Sequence, residues 1–291
     1  MFRLACFAVM LLALSSVNAQ KKSDKDNEEL LGPVKSVHSE LTRFSDMNLK
    51  EAPPAKQMDL VVYDTNGREI ERTIYDDYGF LVGKVLHTHD ANGNLIESVM
   101  SDEKGSLSER RVYTYTDGRL TQLVGYDASG AESFKQVNAY DDNSRVREET
   151  LFVEGKAIGK TVYKYNPKGN RSEAAFYTAD GAKADATIGP CMGAHRMTYT
   201  YDRTGKPILI VAFETDGKRQ RSWRYSYDPK GQLAKDVRDS VWSLKTFVYS
   251  YEYDSHGNWI KQIGTVTDRM KFAPRDTTQR MTVISRKITY H

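Results

Sequence analysis

Cysteine is nearly absent from this chain: there are two in 291 residues, Cys6 and Cys191. Two thiols cannot supply the framework of a disulfide-stapled domain or the ligand set of a structural zinc site. Long apolar runs are equally scarce. Leu4 to Leu14 is the one extended run, and it is too short to cross a bilayer as a helix. Neither sign of charge dominates, with 42 Lys and Arg against 39 Asp and Glu and a formal net charge of +3. That balance argues against nucleic acid or a polybasic membrane contact as a partner. Nucleophile elbows, phosphate-binding glycine loops, zinc-protease motifs and paired-carboxylate signatures are all missing. The expectation is a non-enzymatic protein with no catalytic residues, no cofactor and no metal.

What the chain does have is tyrosine and glycine, 18 and 20 of them, and they recur together. Tyr225-Ser-Tyr227-Asp-Pro-Lys-Gly231-Gln-Leu233 is one copy. Tyr163 to Asn170, Tyr199 to Lys206 and Tyr251 to Asn258 are others, and Tyr113 to Leu120 is a copy one residue shorter. Alternation puts both tyrosines on one face of a strand. Asp-x-x-Gly suits a turn in which Asp holds its own backbone and Gly takes the left-handed position. Each copy therefore reads as a hairpin end.

Two interleaved glycine sets follow. The first is Gly67, Gly93, Gly118, Gly169, Gly205, Gly231 and Gly257, with Ser144 in the missing place; the second is Gly79, Gly105, Gly130, Gly155, Gly181 and Gly217. The step within a set is about 26 residues, enough for two strands and two turns, one turn at each edge of a sheet. The fold expected is all-β: a single extended antiparallel meander of hairpin repeats, curled or spiralling, with turns at these glycines.

Tyr253-Asp254-Ser-His-Gly257-Asn258-Trp259 and His89-Asp90-Ala-Asn-Gly93-Asn94-Leu95 resemble the YD repeat of the RHS family. The resemblance covers roughly residues 60 to 262 and implies a long β-sheet that spirals, in large members into a shell around a toxic cargo. This chain is too short for such a shell, and no toxin-like domain follows its repeats.

Arg3, the apolar run and the small residues Val17-Asn18-Ala19 make residues 1–19 a signal peptide, cleaved after Ala19. The location expected is secreted, periplasmic or cell-surface, with no integral membrane segment after cleavage. Residues 20–29 are too polar to pack and are expected to be a disordered leader. Residues 30–291 form the repeat domain, with a capping strand over Leu30 to Phe44, a loop over Ser45 to Met58 and a closing strand near Met281 to Tyr290.

With the turns so placed, the residue four after each glycine should stand opposite the outer tyrosine. Glu71, Glu97, Gln122, Glu148, Glu173, Leu209, Lys235 and Lys261 would then form a polar column on the tyrosine face. Beside it, Trp223, Tyr225, Tyr251 and Trp259 are the candidate binding residues, with Lys235 and Lys261 supplying hydrogen bonds to a polar, ring-containing ligand such as a glycan. An envelope protein is the other candidate partner, and the reading is a binding or scaffolding protein. Two alternatives are a hydrolase using Cys191 and His195, from the stretch that breaks the period, and an accessory of an RHS-type toxin system. His87, His89 and Glu97 fall on one hairpin without making a metal-ligand signature.

Overall fold

The computed structural model describes residues 23–44, 55–186, 193–272 and 277–291. The signal peptide expected over 1–19, most of the loop expected over 45–58, and Cys191 lie outside those residues. The strands begin with β1 (Val34–Phe44), β2 (Lys56–Tyr63), β3 (Glu69–Tyr75), β4 (Leu81–His89), β5 (Leu95–Asp102) and β6 (Leu107–Thr116). They continue with β7 (Arg119–Asp127), β8 (Glu132–Tyr140), β9 (Val146–Val153), β10 (Lys156–Tyr165), β11 (Arg171–Thr178) and β12 (Arg196–Tyr201). The last are β13 (Pro207–Phe213), β14 (Arg219–Tyr227), β15 (Leu233–Ser240), β16 (Ser243–Tyr253), β17 (Trp259–Met270) and β18 (Thr277–Tyr290).

Every neighbouring pair in this series is antiparallel, and β1 pairs with both β2 and β18. The 18 strands therefore close into one barrel. The sheet expected to curl or spiral is instead a closed ring. The strands expected to cap its two ends zip together, with Val37 opposite Ile288 and Leu41 opposite Ile284. A ring of this strand number is too wide for side chains to fill. Extensive packing between strands is confined to ladder neighbours.

The turns fall where the glycines predict. Gly67, Gly93, Gly169 and Gly231 are among those at positive φ, and Ser144 takes the same conformation at φ 60°. In the turns headed by Asp64, Asp76, Asp141 and Asp254 the Asp amide and carbonyl bond across the loop, and its carboxylate accepts backbone amides two and four residues on. Asp64, for example, accepts from Asn66 at 2.8 Å and Arg68 at 2.9 Å. Such bonds hold the carboxylate below its usual range at Asp202, where the hydroxyl of Thr204 is the first cause.

The register differs from the expected one, for a local reason. Tyr253 faces Trp259, but Tyr251, expected opposite Lys261, faces Gln262, and Lys261 faces Glu252. A β-bulge after the turn inserts one residue, and one residue of slip moves a side chain to the other face. The same shift occurs at all eight turns of the first set, as with Tyr63 opposite Glu69 and Val62 opposite Glu71. The expected polar column is thus on the face opposite the tyrosines. There it forms ion pairs: Lys84 with Glu71, Arg110 with Glu97, Lys160 with Glu148 and Lys261 with Glu252, at 2.6 to 3.0 Å.

The bulge also gives the repeated tyrosine a structural task. It removes the carbonyl two residues after the glycine from the regular ladder, and a tyrosine of the next hairpin donates to it. Tyr140 donates to Leu120, Tyr165 to Val146, Tyr201 to Arg171 and Tyr227 to Pro207, each at 2.7 Å. Tyr251 does the same for Leu233 at 2.9 Å. Successive hairpins are tied by hydroxyl staples.

Ser23 to Leu31 shows that the tyrosine face is the inner one. The stretch expected to be disordered over 20–29 is ordered from Ser23 on. Ser23 and Asp26 form a capping box on the short helix α1 (Asp24–Asn27). The Lys25 amide donates to the Gly67 carbonyl at 3.0 Å. Leu30 is buried with Val37, Val61 and Tyr63 of β1 and β2. Next to it, Glu29 accepts from Lys206 at 2.9 Å and Gln232 at 3.1 Å, in the turns after β12 and β14. Consecutive residues can touch such distant parts of a ring only by lying across its mouth. The strap holds because its polar groups find partners on the rim, which composition does not reveal.

The second inward element is the break in the period. Ala186 and Ala194 pack with Phe176, Met197 and Ala212 on the inner wall of β11 to β13. The strap lies at the mouth of the Tyr-Asp turns; the described ends of the insertion, at Ala186 and Ala194, enter from the opposite mouth.

Candidate inner-wall binding face

Four strands, β14 to β17, bring the candidate aromatics together. Alternation directs Trp223, Tyr225 and Tyr227 of β14 inward, and likewise Phe247, Tyr249, Tyr251 and Tyr253 of β16. Trp259 enters from β17, and its ring meets Tyr251 edge-on at 5.9 Å between centroids. All of these are half-buried. Tyr249 lies over Gly264, where a Cβ would come within 3.2 Å of the ring. Glycine at this position gives the tyrosine room to lie against the wall.

Polar groups interleave with the rings. One row across the wall reads Tyr225, Asp236, Phe247, Val266. Asp236 is only 2% exposed, accepts from Arg238 Nε at 2.7 Å through Oδ2, and has no hydrogen-bond partner on Oδ1. Arg238 stacks over Phe247 at 4.5 Å, and Arg286 stacks over Trp259 at 3.5 Å. Burial first, then the Asp236 charge, pushes the Tyr225 hydroxyl up to about 12. Gln262 donates to the Tyr251 hydroxyl at 3.0 Å. The wall thus offers ring faces with guanidinium, amide and hydroxyl groups between them, over the buried Asp236 carboxylate.

Trp223, Tyr225, Tyr251 and Trp259 lie together on the inner wall. Lys235 and Lys261 do not: the bulge sends both outward, Lys261 to Glu252 at 2.8 Å and Lys235 to a place between Ser226 and Val248. The residue after each lysine takes the inward place, so Asp236 and Gln262 are the polar groups missed. A bulge behind every Asp-x-x-Gly turn was the signal that would have found them.

A second inner cluster closes on itself. Arg72 bonds both oxygens of Glu69, at 2.8 and 2.7 Å, and reaches Asp59 at 3.1 Å; His87 lies 3.3 Å from Glu69. Burial alone would raise the Glu69 carboxyl, but hydrogen bonds from His87 and Arg72 and their charge hold it at about 2. His87 and His89 face inward while Glu97 faces outward to Arg110, so the three do not meet. No group of three potential metal ligands occurs among the described residues. His195 is 5% exposed, with Nδ1 2.8 Å from the Phe176 carbonyl oxygen and its ring edge-on to Tyr177.

No family model and no curated protein matches the chain. Among solved structures, a porin-like protein from Bacteroides uniformis is similar at 13% identity and a TM-score of 0.46, over 89% of this chain and 99% of that one. A Tc holotoxin pore from Photorhabdus luminescens is similar at 11% identity and a TM-score of 0.29, over 79% of this chain and 18% of that one. A LolA superfamily protein from Nitrosomonas europaea is similar at 6% identity and a TM-score of 0.20, over 89% and 86%. Likenesses this distant carry no argument about function.

Proposed function

We propose that the chain is a non-catalytic binding barrel of the cell envelope or the extracellular space, which holds a glycan-like ligand against its inner wall. The observation that carries this reading is the inward turn of the aromatic face in a ring too wide to fill. Trp223, Tyr225, Phe247, Tyr249, Tyr251 and Trp259 stay half-buried there, beside Asp236, Arg238 and Gln262. Sugars match such a wall because ring faces stack on aromatic side chains while hydroxyls take hydrogen bonds at their edges. The envelope location rests on the apolar run near the amino terminus. The outer wall supports a barrel standing in water. Its ion pairs of Lys84, Arg110 and Lys160 with glutamates would cost about 2–4 kcal/mol per cation at the midplane of a bilayer.

A screen of the mature protein against soluble glycans and cell-wall fragments tests the reading, with Trp fluorescence as readout. Binding should be weakened about tenfold or more by Trp223→Ala or Trp259→Ala, because a stacked ring contributes on the order of 1–3 kcal/mol. Binding that survives both substitutions, or no binding to any glycan tested, would sink it.

A further inference from the structure

The two mouths of the barrel differ in what they expose. At the mouth opposite the strap, four aromatic side chains stand in solvent: Tyr78 and Phe80 at 71%, Trp242 at 67% and Phe272 at 74%. Among the described residues they are the only exposed aromatics of the large hydrophobic side chains. Trp242 belongs to the turn between β15 and β16, Phe272 follows β17, and Tyr78 and Phe80 form the turn between β3 and β4. Because β18, β1 and β2 lie between β17 and β3, these turns occupy one continuous arc of the rim. Trp242 and Phe272 converge, their centroids 5.7 Å apart. Val241 and Met270 beside them are 50% and 43% exposed.

Charge follows the same arc. Arg43, Lys56, Arg269, Lys271 and Arg280 are exposed along it. Lys56 lies 5.1 Å from the Tyr78 ring. Two of the arc's acids are already neutralised: Asp77 pairs with Arg43 at 2.6 Å, and Asp239 pairs with Lys271 at 2.6 Å. Asp268 pairs with Lys245 at 2.9 Å, so among the described residues Lys56, Arg269 and Arg280 stand against Asp76 and leave a positive surplus among the rings. Across the same mouth, the turns after β5, β7, β9 and β13 expose Glu103, Asp127, Glu154 and Asp216 together with Lys104, Lys156 and Lys218, the last paired with Asp216 at 2.7 Å, and they expose no aromatic ring. The rim thus has an aromatic, cationic side and a side of mixed charge without exposed rings.

We propose that the aromatic arc docks the barrel onto the interface of an anionic lipid membrane. Two ring pairs stand at loop tips, separated by the width of about four strands, roughly 20 Å. A lipid headgroup layer accepts separate aromatic wedges of this kind, with lysine and arginine held at the level of the phosphates. A folded protein partner would need a continuous complementary patch. The positive surplus selects an anionic surface, and the lack of exposed rings on the other side of the rim directs contact to one edge of the mouth. The rings sit on turns outside the ladder, so their removal leaves the barrel intact.

The test is sedimentation of the full chain with vesicles of phosphatidylcholine alone or mixed with phosphatidylglycerol. Binding should favour the mixed vesicles, fall with salt, and weaken about tenfold or more when Trp242→Ser and Phe272→Ser are combined with Tyr78→Ser and Phe80→Ser. A variant that melts like wild type keeps that comparison clean. As a second readout, lipids with brominated acyl chains should quench Trp emission in wild type and much less in Trp242→Phe, which still sediments. Absence of binding to both vesicles overturns the proposal, as does binding unchanged in the fourfold variant. Analytical ultracentrifugation showing a dimer that the same substitutions dissolve would assign the arc to a second copy and also overturn it.

Discussion

A single hydroxyl explains much of why tyrosine rather than phenylalanine ends each repeat. The Tyr165 hydroxyl meets the Val146 carbonyl at 2.7 Å, beside the bulge that takes that carbonyl out of the ladder. Tyr165→Phe should therefore destabilise the barrel by about 1 kcal/mol, the net worth of a neutral hydrogen bond, measured by chemical denaturation. An unchanged midpoint would mean that water replaces the hydroxyl at no cost. Gly231 has φ of 84°, and a Cβ there would sit 3.1 Å from Lys206 Nζ. Gly231→Ala should cost about 1 kcal/mol or more. Charge gives a third residue-scale expectation. Glu69 is held at about 2 in the fold against 4.5 as its ordinary value. A depressed carboxylate stabilises the fold above its unfolded pKa and loses that contribution as pH falls towards the folded one. The barrel should thus lose up to about 3 kcal/mol from this group between about pH 5 and pH 2. Glu69→Gln should flatten that part of the acid limb in urea titrations; an acid limb of unchanged slope would deny Glu69 its role.

Strands and turns were legible in the sequence because their signals are local. The left-handed glycines, the capping aspartates and the alternation of tyrosines each concern a few adjacent residues, and the hairpins follow from them. The register was not, because one extra residue in a bulge leaves no compositional mark yet reverses a face. Lys235 and Lys261 went outward, and Asp236 and Gln262 inward, on that account alone. The strap was illegible for a different reason. Its residues are as polar as those of a free tail, and its order comes from partners 42 to 227 positions away. Asn258, 2% exposed, is chief among them: it accepts from the Leu31 amide at 2.6 Å and donates to the Leu31 carbonyl at 2.9 Å. Asn258→Ala leaves both backbone groups unpaired and should cost on the order of 2 kcal/mol. Limited proteolysis should then cut within residues 23 to 31 faster than in wild type. Equal cutting rates would place the hold on the strap elsewhere, in Leu30 and Glu29.

Closure belongs to the whole molecule. No single repeat encodes it, since a meander of hairpins can spiral, stay open or close with the same turns. What closes this one is β1, which donates and accepts along both edges, to β18 over Val34 to Phe44 and to β2 over Ser36 to Leu41. Residues about 250 apart in sequence meet at that seam, a costly closure that must be offset by the two ladders together. The inner wall depends on it, because Val37 and Ser39 of β1 border the buried side chains Val61 and Tyr63. Proline at Leu41 would remove one ladder donor and hold φ at a value the strand does not use. Leu41→Pro should therefore free β18 and β2 as two edges of unpaired amides and carbonyls, which pair with other chains. Size-exclusion chromatography with light scattering should show oligomers or aggregates for Leu41→Pro and a less associated species for wild type. Proline at Thr215, in an exposed turn away from the seam, is the matched control and should behave as wild type. If Leu41→Pro eluted like the control and kept the same thermal midpoint, the seam would not be what holds the ring shut, and the inward aromatic face would need another cause.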